Sequence, residues 1–115
     1  MNRFFLVIAS LFIFAACTQA EPDLSVWLED GVIIDTRSVM EFESGHVADA
    51  IVMPHDTIDQ TIASVAPDKS TPIILYCRSG NRAGIAKSVL NDMGYENVVN
   101  LGGLQEAQAA IDAAR

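Results

Sequence analysis

Four short runs made almost wholly of apolar residues, 32–34, 51–53, 73–76 and 98–101, constrain this chain more than any other feature. A run without polar alternation reads as a strand covered on both faces. Helical signals lie between the runs. Ser38 with Glu41 three residues on forms a capping-box pattern, and Gly45 ends that helix. Asp56 or Thr57 can cap a helix that carries Ile58, Ile62 and Val65 and stops at Pro67. A helix is predicted over 83–93, with Ile85, Ala86, Val89, Leu90 and Met93 on one face, and a last one from 104 to about 114. The segment 24–28 is open between a short helix and an edge strand, with Trp27 in the core. Such alternation implies an α/β domain, a parallel sheet with helices on both faces. The 115 residues suffice for one domain and show no internal repeat.

The link between the third run and the helix after it is Cys77-Arg78-Ser79-Gly80-Asn81-Arg82. A cysteine is thereby held between a strand's carboxyl end and a helix's amino end. Unpaired backbone N–H groups converge on an anion there, and open α/β sheets bind ligands at that edge. Two arginines and the helix dipole add positive potential, so the thiol is expected to ionise near neutral pH. The bland alternative is a buried, inert cysteine. Ser, Gly, Asn and two Arg do not make the apolar hole that reading needs. Gly80 is expected to supply a backbone angle closed to other residues. Arg82, a cation at a helix start, needs an anionic partner, either substrate or a carboxylate. Asp35 and Arg37 lie just past the first strand, as pocket rim or as structural residues. For Arg37 the favoured reading is a pair with Glu41 one turn on. His46 is placed as a general base for Cys77 or as a structural hydrogen-bond partner, and His55 as a loop residue without special role. No Cys/His cluster has zinc spacing.

Loop length separates two chemistries. Protein tyrosine phosphatases place an Arg six positions after the Cys; here that position is Ala83, and Arg82 comes one residue early. The chain instead resembles the rhodanese (sulfurtransferase) family, whose loops run Cys-Arg-x-Gly-x-Arg before a helix. The resemblance extends through VIIDTRSVMEFESGHVADAIVMP at 32–54, near the family's Asp-x-Arg, Glu-(aromatic)-x-x-Gly-His and Ala-x-x-x-Pro landmarks. It continues through Gly94-Tyr95 and VVNLGGL at 98–104. Two departures stand out. Asp49 occupies a place where Gly usually precedes the Ala, which bears on the local turn. The C-terminal helix lacks the aromatic residue often found there.

The resemblance implies a three-layer sandwich around a mostly parallel sheet of about four to five strands. It implies a sulfur carried on Cys77 as a persulfide, taken from a donor such as thiosulfate and passed to cyanide or a thiol. The N–H groups of Arg78, Ser79, Gly80, Asn81, Arg82 and Ala83 would cradle it. Arg78 would meet the anionic donor, and Ser79 would donate to the bound sulfur. For His46 it favours the structural hydrogen bond. No metal or organic cofactor is required, and a monomer is expected. Two rivals are a phosphatase or arsenate reductase on the same fold and a non-catalytic anion- or partner-binding module.

Residues 1–20 read as an export signal ahead of a domain over 21–115. Arg3 gives a positive start, and 4–16 is apolar apart from one Ser. That stretch is shorter than the ~20 residues a spanning helix needs. Thr18-Gln19-Ala20 offers a cleavage site and a periplasmic product. Phe14-Ala15-Ala16-Cys17 resembles a bacterial lipoprotein box, which would anchor the protein to a membrane through Cys17. Here too the chain looks most like the small exported rhodaneses of the phage-shock type. Either ending leaves Cys77 as the one free thiol of an exported protein. The formal net charge is −8, and removing 1–20, whose single charge is Arg3, makes it −9. Nucleic acid and anionic membrane surfaces are therefore excluded as electrostatic partners.

Overall fold

The computed structural model describes residues 22–115. The expected signal, its cleavage site and Cys17 lie outside the described residues. The elements run α1 (Leu24–Asp30), β1 (Val32–Asp35), α2 (Val39–Glu43), β2 (Ile51–Val52), α3 (Ile58–Thr61), a 3-10 turn (Ile62–Ser64), β3 (Ile73–Cys77), α4 (Asn81–Asp92), β4 (Val98–Gly103) and α5 (Leu104–Ala114). The four strands are all parallel, in the order β2-β1-β3-β4.

Period-two alternation along β3 splits the core. Ile73, Leu75 and Cys77 face one side, with Ile58 and Ile62 and with Ala83, Ala86 and Leu90 of α4. Ile74 and Tyr76 face the other, with Ala107 and Ile111 of α5 and Leu24, Trp27 and Leu28 of α1. All five residues of β3 are fully buried, as a central parallel strand with helices on both faces must be. Register pairs Ile34 with Leu75, Asp35 with Tyr76, and Cys77 with Gly103. The carboxyl ends of β1, β3 and β4 thus meet at one edge.

The open choice at 24–28 resolves as a helix. Asp23 caps it, its carboxylate accepting from the Ser25 N–H at 3.1 Å. Trp27 is half-buried against the core rather than plugged into it. The capping box of Ser38 and Glu41 forms. The helix expected over 58–65 is shorter. It is α-helical only to Thr61 and tightens into the 3-10 turn before Pro67, whose ring disfavours a helical residue at Ala66. Neither proposed cap operates; Thr57 makes no side-chain cap bond. Ile85 is 49% exposed, because the stripe that turns inward is Ala83, Ala86 and Leu90. Asp49 holds φ at 71°, the left-handed region where Gly is at ease and Asp is among the better-tolerated alternatives.

Candidate active site

β3 delivers Cys77 to the carboxyl edge of the sheet, fully buried. The chain then reverses through Arg78-Ser79-Gly80 and enters α4 at Asn81, two residues before the predicted start. Gly80 has φ of +93°, and its N–H points back to the Cys77 Sγ at 3.0 Å. Burial pushes the thiol up. The backbone N–H groups of Ala83, Ser79, Gly80 and Arg82 push it down and prevail, so its pKa falls below the ordinary cysteine value. Of the amides expected in the cradle, those of Ser79, Gly80, Arg82 and Ala83 act on the thiol. The amides are what lower it.

Two glycines and an asparagine press the loop against β4. The Asn100 side-chain amide donates to the Gly80 carbonyl at 2.9 Å, and its oxygen accepts from the Gly102 N–H at 2.9 Å. A Cβ on Gly80 would stand 3.2 Å from the Gly102 Cα, and one on Gly103 would stand 2.5 Å from the Arg78 carbonyl oxygen. Asn100 was not singled out from the sequence. Its signal was a lone amide inside the apolar run 98–101.

Of the arginines, Arg37 differs from expectation. Arg37 does not pair with Glu41. Its guanidinium grips Asp35, with Nε 3.0 Å from Oδ1 and a second nitrogen 2.7 Å from Oδ2, and donates to the Gly45 carbonyl at 2.6 Å. Asp35 is fully buried, and a buried carboxylate must be paired where it stands. The same guanidinium lies 5.8 Å from the Tyr76 ring centroid, and the Tyr76 hydroxyl accepts from the Val47 N–H at 3.0 Å. Glu41 turns the other way and takes Arg82 in a two-pronged pair at 2.6 and 2.9 Å. Hydrogen bonding to Arg82 holds the Glu41 carboxyl at about 2. The anionic partner that Arg82 required is therefore a carboxylate of this chain. Arg78 has no carboxylate partner among the described residues.

Ser79 and Asn81 are exposed on the loop, and Ala83 is buried beneath it. The His46 Nδ1 lies 2.8 Å from the Phe42 carbonyl oxygen, and its ring stacks on Phe42 at 3.6 Å. Both contacts are structural. His55 donates its backbone N–H to Thr36. A hollow of about 420 Å³ opens at the same edge, walled by Arg37, Glu41, Ser44, Arg78, Leu104, Gln105 and Glu106. Among the described residues no group of three His, Cys, Asp or Glu side chains could hold a metal ion.

An ionisable cysteine in a ring of amides, at the carboxyl edge of a parallel sheet, defines an α/β protein of the cysteine-loop class. Sequence and structure comparisons narrow that class. A profile of the rhodanese-like domain matches residues 21–110, and the chain belongs to the rhodanese family. It is 38% identical over 73 residues to the thiosulfate sulfurtransferase PspE of Escherichia coli (strain K12), covering 64% of this chain and 70% of that protein. A sulfurtransferase of Allochromatium vinosum is 33% identical over 75 residues, covering 65% of this chain and 68% of that one. A solved structure described as a rhodanese with anions from E. coli superposes with a TM-score of 0.64 at 37% identity, covering 66% of this chain and 89% of that chain. The chain also matches parts of larger proteins. A tRNA uridine(34) hydroxylase of Erwinia tasmaniensis is 31% identical over 87 residues, covering 70% of this chain and 25% of that protein.

Proposed function

We propose that this protein is a sulfurtransferase that carries a sulfane sulfur on Cys77. The observation that carries this reading is the Gly80 N–H directed at Sγ at 3.0 Å within the ring of loop amides. Cys77 thiolate attacks the outer sulfur of a donor such as thiosulfate. The sulfur–sulfur bond of the donor breaks, and sulfite leaves with the electron pair. The terminal anion of the persulfide then occupies the amide ring, which is preorganised for negative charge. A thiol or cyanide attacks that outer sulfur and regenerates the Cys77 thiolate. Arg78 is free to receive the donor's anionic end.

The pairing of Arg82 favours this reading over phosphoryl transfer. A phosphate monoester needs a guanidinium at the helix end of the loop, and the one there, Arg82, is already engaged by Glu41 at 2.6 and 2.9 Å. Replacing Cys77 with Ser is expected to abolish thiocyanate formation from thiosulfate and cyanide. Retained activity in that variant, or a comparable rate on p-nitrophenyl phosphate, would overturn the assignment.

We also propose that the protein works outside the cytoplasm, on the strength of residues 1–20. Cleavage after Ala20 gives a product released by osmotic shock; lipidation of Cys17 gives a membrane-bound one that Cys17→Ser blocks. Full-length precursor retained in the cytoplasm in both forms would refute export.

A further inference from the structure

The hollow beside the cysteine loop holds four charged side chains, and two of them are already neutralised. Arg37 is bound to Asp35 and Glu41 to Arg82. Arg78 and Glu106 remain, one cation and one anion, neither with an ion partner among the described residues. Glu106 sits in the first turn of α5 and is exposed. Its carboxylate lies beside the last residue of β4. A Cβ built on Gly103 would stand 2.5 Å from the Glu106 Oε2 and 2.5 Å from the Arg78 carbonyl oxygen, and Gly103 is the register partner of Cys77. The glycine thus leaves the space that an acidic group occupies at the sheet edge where β4 pairs with Cys77.

We infer that Glu106 is a specificity-determining residue that grades sulfur acceptors by charge, favouring thiols that bear an ammonium group. The inference rests on the sulfurtransferase reading above. Before sulfur transfer the acceptor thiol loses its proton to solvent. Its thiolate attacks the outer sulfur of the Cys77 persulfide, forming a new sulfur–sulfur bond. The bond to the Cys77 Sγ breaks, and Cys77 leaves as thiolate with the electron pair. No oxidant or reductant is consumed. An ammonium two or three bonds from the attacking sulfur meets the Glu106 carboxylate across the hollow, while an anionic tail is repelled. The plain alternative is that Glu106 only complements the dipole of α5. That role would be indifferent to the acceptor's charge.

The test compares cysteamine, 2-mercaptoethanol and 2-mercaptoethanesulfonate as acceptors for Cys77 persulfide preloaded from thiosulfate, in wild type and Glu106→Gln. The substitution keeps the side chain's shape on an exposed position. Within each acceptor, the variant-to-wild-type ratio cancels intrinsic nucleophilicity. Expected is a loss of roughly fivefold for cysteamine, no change for mercaptoethanol, and a gain of similar size for the sulfonate, all shrinking at high salt. Equal effects on the three acceptors, or none, would overturn the assignment. Loading is read first by intact mass. If thiosulfate adds no sulfur to Cys77, the sulfurtransferase reading itself fails; if sulfur loads but leaves without regard to acceptor charge, only the role of Glu106 fails.

Discussion

Cys77 sits under two opposed influences, and the direction of its pKa decides between a nucleophile and an inert thiol. Burial alone favours the neutral form. The loop amides reverse this because a thiolate accepts several N–H groups that a thiol cannot. The expected consequence is alkylation by iodoacetamide with an inflection below the ~8.5 of free cysteine. An inflection at or above the free value would show that burial wins. Gly80 is the residue on which this balance turns. At φ of +93° and 3.2 Å from Gly102 to an added Cβ, it has neither the angle nor the room for a side chain.

Among the elements, α2 does more than its five residues suggest. Glu41 closes the capping box of its own helix and, through Arg82, holds the first turn of α4. One carboxylate therefore couples the loop after β1 to the loop after β3. Its pKa of about 2 lies below the ordinary carboxylate value, so the pair's contribution is present above that ordinary value and is lost only as pH falls through about 2. Both side chains are more than a quarter exposed, which limits what the pair adds to stability. Glu41→Gln is expected to lower stability by about 0.5–1 kcal/mol in urea denaturation. Its effect on thiosulfate turnover should exceed what so small a change in folded population explains, because the loop loses its clamp. Glu43→Gln, an exposed change on the same helix, serves as the control. Equal turnover in the two variants would remove Glu41 from any positioning role.

Across the whole molecule, the sequence disclosed what periodicity and punctuation encode. Four apolar runs became the four strands, and Cys77 fell where the strand-to-helix junction placed it. The Ser38 and Glu41 capping box was legible because both partners are local. Side-chain pairing between distant loops was not. Arg37 had Asp35 two residues before it and Glu41 four after, and only burial of Asp35 selects between them. The Arg82–Glu41 pair spans a sequence gap that no local pattern crosses, and Asn100 shows its purpose only once Gly80 lies beside it. The helix after Thr57 misled because its apolar spacing fits an α-helix, whereas Pro67 shortens its end.

The clamps around the cysteine loop have a kinetic meaning. Glu41 reaches Arg82 from 41 residues away, and Asn100 reaches Gly80 from 20. Such non-local contacts form only once the intervening chain has been closed into place. The segment that contains Cys77, its loop and α4 is continuous, yet by itself it has neither clamp. A nascent chain released only as far as α4 therefore carries the nucleophile without the Asn100 staple. The Asn100 staple on the Gly80 carbonyl exists only once β4 is in place, so the loop that carries the reactive sulfur is fully clamped only in a chain whose last strand has docked.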